Sequence, residues 1–165
     1  MRLEDKEGAK RINKINKSFS GKELIVGQHE KLSEQKMIRQ IRSDKQHDIK
    51  FPVNEYLYIK LKDLNKQLNE QLKQKRKKEI TQTVVNTKLL RFGLKNDWVI
   101  NWDIHYKDSK RYMHTNLLET EYEKIGGRYG YSMTKMMSDR KVVTIIILSV
   151  LNYLESGGDI NEVLQ

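Results

Sequence analysis

The side chains that most often perform covalent or metal chemistry are not arranged for it in this sequence. The chain has no cysteine, which removes thiolate nucleophiles, thiolate metal sites and any disulfide framework. Its four histidines, His29, His47, His105 and His114, are scattered, with no His-Glu-x-x-His or comparable metal spacing. Asp103 and His105 could suggest acid–base chemistry, but no nucleophile or metal partner can be assigned to them. Gly126-Gly127-Arg128-Tyr129-Gly130 lacks the Gly-Lys-Ser/Thr ending with which a Walker-type loop holds phosphate. No serine sits in a nucleophile-elbow pattern. These absences point away from an enzyme and from a bound metal or cofactor. What remains is noncovalent chemistry. The 165 residues carry 32 Lys and Arg against 22 Asp and Glu, a formal charge of +10. That balance favours a polyanionic partner, nucleic acid before an anionic membrane surface.

The elements that must position such chemistry are readable in order. Residues 1–45 hold twelve Lys or Arg and seven Asp or Glu among isolated apolar side chains. They read as a basic arm, partly disordered or helical, that contacts DNA or a partner or is merely a solvated tail. Met1-Arg2-Leu3-Glu4-Asp5-Lys6 is polar and charged, so no secretory signal is expected. The longest apolar run, Val142 to Leu151, includes Thr144 and Ser149 and reads as a buried helix, too short to span a bilayer. A cytoplasmic protein is expected.

A first block occupies residues 46–94. Ile49, Phe51 and Val53 alternate with Lys50 and Pro52, a short strand pattern. Pro52 cannot donate a ladder hydrogen bond, which argues against a central strand and suits a two-stranded ribbon. Asn54 can cap the following helix. Leu57, Leu61, Leu64, Leu68 and Leu72 then recur at helical intervals, ending in the basic run Lys73 to Lys78. Thr81 or Thr83 can start a second helix carrying Val84, Val85, Leu89, Leu90, Phe92 and Leu94. Residues 95–110, with Trp98, Val99, Ile100 and Trp102, are too apolar for a loose linker and are expected to pack on the core. Trp98 and Trp102 could stack on bases, but four-residue spacing favours a core role; a core role is expected for the Tyr129/Tyr131 pair too.

The order recurs in a second block, residues 111–158. Met113, Thr115 and Leu117 fall on one side of a strand, and Tyr112, His114 and Asn116 on the other. Leu118 to Ile125 opens a helix that Gly126 and Gly127 weaken, with Tyr129 and Tyr131 able to extend it. Ser138 or Asp139 caps a strong helix from Arg140 to about Glu155, which Gly157-Gly158 stops. Residues 159–165 form a tail. Val53, Glu55 and Tyr58 in the first block match Leu117, Glu119 and Tyr122 in the second, an internal repeat.

Ile49-Lys50-Phe51-Pro52-Val53-Asn54-Glu55-Tyr56-Leu57-Tyr58-Ile59-Lys60-Leu61 and Ile80-Thr81-Gln82-Thr83-Val84-Val85 resemble the strand, first helix and second-helix entry of the ribbon-helix-helix DNA-binding family. The likeness covers residues 47–94 and, more loosely, 111–155. It departs from the family in its long first helix and in Gly126-Gly127. The resemblance implies a mainly α fold with short β: two strand-helix-helix units forming a two-stranded antiparallel ribbon over a helical core. It also implies that one side of the ribbon faces bases in the major groove. Carried over, Asp48, Lys50, Tyr112, His114 and Asn116 contact bases, with Pro52 on the same side. A lysine suits guanine and an asparagine suits adenine. Second-helix starts would meet phosphates, giving Thr81 and Thr83 in one unit and Ser138, Arg140 and Lys141 in the other, joined by Lys75, Arg76 and Lys77. The expected partner is double-stranded DNA, with a relaxase or other plasmid-encoded protein beside it. The expected assembly is a pseudodimer or homodimer, with higher order on DNA. Proteins resembling this one mark plasmid transfer origins as relaxosome accessory factors, bind partition centromeres, or repress transcription, and tandem units look most like the first. The alternative from another class is a non-specific RNA-binding or scaffolding module.

Overall fold

A computed structural model describes residues 44–164 of the protein. Apart from Asp44 and Lys45, the expected basic arm lies outside the described residues. The described chain is mainly helical with one two-stranded antiparallel sheet. Strand β1, Gln46–Pro52, is followed by α1, Glu55–Gln74, and α2, Gln82–Lys95. A 3-10 turn at Asp97–Val99 leads through an irregular stretch to β2, Tyr112–Leu118. Helix α3, Glu119–Gly126, and the short α4, Tyr131–Thr134, precede α5, Asp139–Glu155, and the short α6, Ile160–Val163. Among the described residues no helix is long and apolar enough to cross a membrane.

Local chemistry sets the helix starts. Asn54 Oδ1 accepts the Leu57 N–H at 2.8 Å, and the hydroxyls of Thr81 and Ser138 accept from Val84 and Lys141. Each short acceptor satisfies one amide that the first helical turn leaves free. Leu118, at the start of α3, has no acceptor. Glu121 instead takes the Leu118 N–H at 2.9 Å, half of a capping box.

Strands β1 and β2 pair in the register Gln46 with Leu118 through Pro52 with Tyr112. Val53 N–H to Arg111 O and Glu119 N–H to Lys45 O, both 2.9 Å, extend the ladder at its two ends. Asn116 N–H points the other way, to Thr87 Oγ1 at 2.9 Å. Alternation along an antiparallel ladder then turns the nitrogen of Pro52 outward too, so the missing donor costs the ladder nothing.

The core lies under the ribbon. Ile49, Phe51, Met113, Thr115 and Leu117 point into it, and Leu57, Leu61, Val85, Leu89, Leu90 and Ile125 close around them. Helix α2 packs on β2 and α5, while α5 also packs on β1. Helix α5 is buried on nearly every side from Val142 to Leu151. Its β-branched run has modest helix propensity, and burial overrides that preference. Asn69 docks the return from α1 to α2 by taking the Ile80 N–H at 2.9 Å and giving its own N–H to Ile80 O at 3.0 Å.

Several expectations are corrected. Trp98 is 70% exposed, because it closes edge-on over Tyr153 at 5.5 Å rather than entering the core. The rest of the 95–110 stretch does pack on the core, through buried Ile100 and half-buried Val99 and Trp102. Tyr129 is 82% exposed, because α3 ends at Gly126 and the chain turns before α4. Tyr131 does pack, against Trp102 at 4.9 Å. Burial, then a hydrogen bond to Asp97, raises its hydroxyl pKa. Val84 faces solvent rather than the apolar side of α2, and Pro52 is buried although alternation puts it on the outer side.

Gly93 marks the crossing of α2 and α5. A Cβ there would lie 2.3 Å from Ile146 Cγ2 and 3.3 Å from Val150 Cγ2. Ile146 is fully buried and stiff at χ1, so it cannot yield cheaply. Gly93→Val is expected to lower stability by about 1–3 kcal/mol despite the better helix propensity of valine, as read by urea denaturation.

Candidate nucleic-acid interface

The ribbon separates its side chains by chemistry. The odd-numbered positions Ile49, Phe51, Met113, Thr115 and Leu117 are buried. Gln46, Asp48, Lys50, Tyr112, His114 and Asn116 lie on the opposite face, wholly or partly exposed. The structure therefore brings Asp48, Lys50, Tyr112, His114 and Asn116 together on one surface. Lys50 stands directly across from His114, and Asp48 across from Asn116. Directly opposed positions on one face approach within about 4.5–5.5 Å at Cβ.

This polar surface is cross-linked. His114 Nδ1 lies 2.9 and 3.0 Å from the two Asp48 oxygens. Asn116 Nδ2 donates to Gln46 Oε1 at 2.5 Å. Lys50 has no ion pair among the described residues, so its ammonium is open to an external acceptor.

The free edge of β2 is held from α2. Asn86 Nδ2 donates to His114 O at 3.1 Å and, as above, Thr87 Oγ1 takes the Asn116 N–H. Gln82 Nε2 donates to Asn86 Oδ1 at 3.0 Å and to Leu61 O at 3.1 Å. Asn86 is fully buried, and an unpaired buried amide would cost about 1–3 kcal/mol. These bonds fix the backbone under His114 and Asn116. The sequence signal for them is slight: Asn86 lies four residues before Leu90 on an apolar helical face, where a polar side chain needs a buried partner.

The start of α5 reaches the ribbon. The Arg140 guanidinium lies 5.7 Å from the Tyr112 ring centre, and Lys141 Nζ lies 5.8 Å from that of Tyr106. Arg140 thus flanks one end of the polar face, and Ser138 and Lys141 share its helix start. Thr81 and Thr83 stand at the start of α2, less than two turns before the residues that hold β2. Lys75, Arg76 and Lys77 are elsewhere. They follow a helix about 30 Å long, where Lys75 and Lys77 line a cleft with Leu72, Ile80, Lys88 and Leu164 rather than with any ribbon residue.

The ribbon end is tied down by an ionic cluster. Glu119 Oε2 accepts from His47 Nε2 and lies 3.1 Å from Lys45 Nζ. His47 stacks on Tyr122 at 4.0 Å. The Tyr122 hydroxyl donates to Asp139 Oδ2 at 2.7 Å. That bond, with burial second, pushes its pKa up to about 12. The cluster joins β1, α3 and α5. Nearby, Arg91 grips Glu121 through two bonds of 2.7 and 3.0 Å and ties α2 to α3.

No protein-family model, curated protein or solved structure matches the chain.

The Glu119 carboxyl is held below its ordinary 4.5, first by the His47 hydrogen bond and then by Lys45. A lowered folded-state value contributes stability above the unfolded value, and that contribution is lost as pH falls through the folded one. Glu119→Gln is expected to lower the urea midpoint at neutral pH. The gap to the wild type should narrow as pH is taken below about 4.5. A gap that stays constant into acid would contradict this role.

Proposed function

We propose that the chain binds double-stranded DNA sequence-specifically, using two strand-helix-helix units that share one ribbon and lay its polar face in the major groove. The observation that carries this reading is the shared ribbon itself. Its two strands come from distant parts of the chain, and each runs directly into a helix. The later helices of the two halves, α2 and α5, pack on each other, and each packs on the other half's strand. A single step along the sequence takes Asn54 to Leu118, Glu55 to Glu119 and Tyr58 to Tyr122, so both first helices begin at equivalent points. The outer face then offers donors and acceptors where a two-stranded ribbon can read base edges. The net charge of +10 supplies attraction to phosphates.

Within this reading, Lys50 donates to a base, and Ser138, Arg140 and Lys141 hold phosphates beside the ribbon. The two strands present different side chains, so the core of the recognised site is not palindromic. The role that fits best is that of a plasmid relaxosome accessory protein marking a transfer origin. A partition centromere-binding protein or a repressor uses the same surface. The ranking rests on the tandem arrangement, since a fold does not set the job.

Binding measured by fluorescence anisotropy, after selection of fragments from the DNA that encodes the chain, tests the reading. Specific binding is expected to survive excess random duplex, with log affinity falling against log salt by about 0.9 per phosphate neutralised. Lys50→Ala is expected to relax base preference by about 1–3 kcal/mol. Arg140→Ala with Lys141→Ala should weaken every duplex and flatten the salt dependence by about two phosphates' worth. Equal affinity for all duplexes, or for RNA, would replace this reading with a non-specific nucleic-acid or scaffolding module.

A further inference from the structure

Two hydrogen bonds cross the outer face of the ribbon, and they run on the same diagonal. Gln46 supports Asn116, and Asp48 supports His114. In both, β1 supplies the acceptor and β2 the donor. An ionised carboxylate only accepts, so the proton between Asp48 and His114 sits on Nδ1. A neutral imidazole carries one proton, and its other nitrogen is then a bare acceptor. Nε2 has no hydrogen-bond partner among the described residues, and the His114 side chain is 44% exposed. Its backbone is fixed from below by Asn86.

We propose that Asp48 is a positioning residue that locks His114 in the Nδ1–H tautomer, so that Nε2 accepts a hydrogen bond from an exocyclic base amine, adenine N6 or cytosine N4. The proposal rests on the duplex reading above and replaces the base contact that alternation alone assigns to Asp48. Both Asp48 oxygens already face His114 Nδ1. With a neutral imidazole this contact is a hydrogen bond on an exposed face, where such pairs add little stability, so its value lies in orientation. Lys50, the direct cross-strand partner of His114, only donates. The middle of the ribbon thus sets a donor beside an acceptor, a pattern that distinguishes base pairs in the major groove. His114 with its proton on Nε2 would present a donor instead and favour the guanine acceptors.

The test has two arms, both on the full chain. Long-range proton–nitrogen correlation of the histidine rings reads which ring nitrogens carry a proton. Wild-type His114 is expected to be neutral with Nδ1 protonated, and Asp48→Ala should abolish that bias. Selection from randomised duplexes is the second arm. The wild type should enrich adenine or cytosine at one position. Asp48→Ala and His114→Ala should each lose that enrichment about three- to tenfold at the same position, leaving the position read by Lys50 intact. A wild-type His114 that is doubly protonated, or protonated on Nε2, overturns the proposal. So does an Asp48→Ala protein that keeps the preference, or loses it where His114→Ala does not. A wild type that enriches no sequence overturns the duplex reading and with it the base contact. The ring spectra then tell separately whether the tautomer lock failed as well.

Discussion

The pairing of Gln46–Pro52 with Tyr112–Leu118 joins stretches of chain separated by two helices and a long turn. Two strands alone are marginal in water. This pair persists because its odd-numbered side chains complete a core to which α1, α2 and α5 contribute. The dependence runs both ways. Without the ribbon, α2 and α5 would lose the strands on which each packs. A slip of one residue in either strand would exchange its faces, setting Asp48 or His114 against the core and Phe51 or Met113 in water. Burial of the inner face is therefore what selects which side chains remain outside.

That constraint also explains the supports around the polar face. The outer edge of each strand carries backbone groups that the ladder does not use. Asn86 and Thr87 satisfy those of β2 at His114 and Asn116. At β1 the matching nitrogen belongs to Pro52, which has no proton to place. The two strands are thus finished differently, and their exposed side chains differ too. A ribbon assembled from one chain can carry a lysine opposite a histidine at its centre, which two identical chains related by a twofold axis could not do.

Much of this is legible in the sequence, for local reasons. Asn54, Thr81 and Ser138 are short acceptors placed just ahead of periodic apolar runs, and they cap helices. Alternation in Ile49-Lys50-Phe51 and in Met113 to Leu117 divided inner from outer side chains correctly. Features set by distant contacts were not legible. Trp98 and Tyr129 carry apolar surface that suggests a core role, but chain reversals after α2 and α3 leave them outside. The support of His114 by Asp48 depends on strand register, and the burial of Asn86 depends on β2 arriving beside α2. Neither is encoded in neighbouring residues. Lys75, Arg76 and Lys77 looked equivalent to Arg140 and Lys141 as basic clusters, yet the length of α1 carries them away from the ribbon end that Arg140 touches.

The central claim is that the outer face of the ribbon meets duplex DNA. Backbone amide shifts followed during titration with a selected duplex address it directly. The account predicts that the largest changes fall on Asp48, Lys50, Tyr112, His114 and Asn116, with smaller ones at the starts of α2 and α5. Changes centred instead on the cleft lined by Lys75, Lys77 and Lys88, with the ribbon amides unmoved, would contradict it.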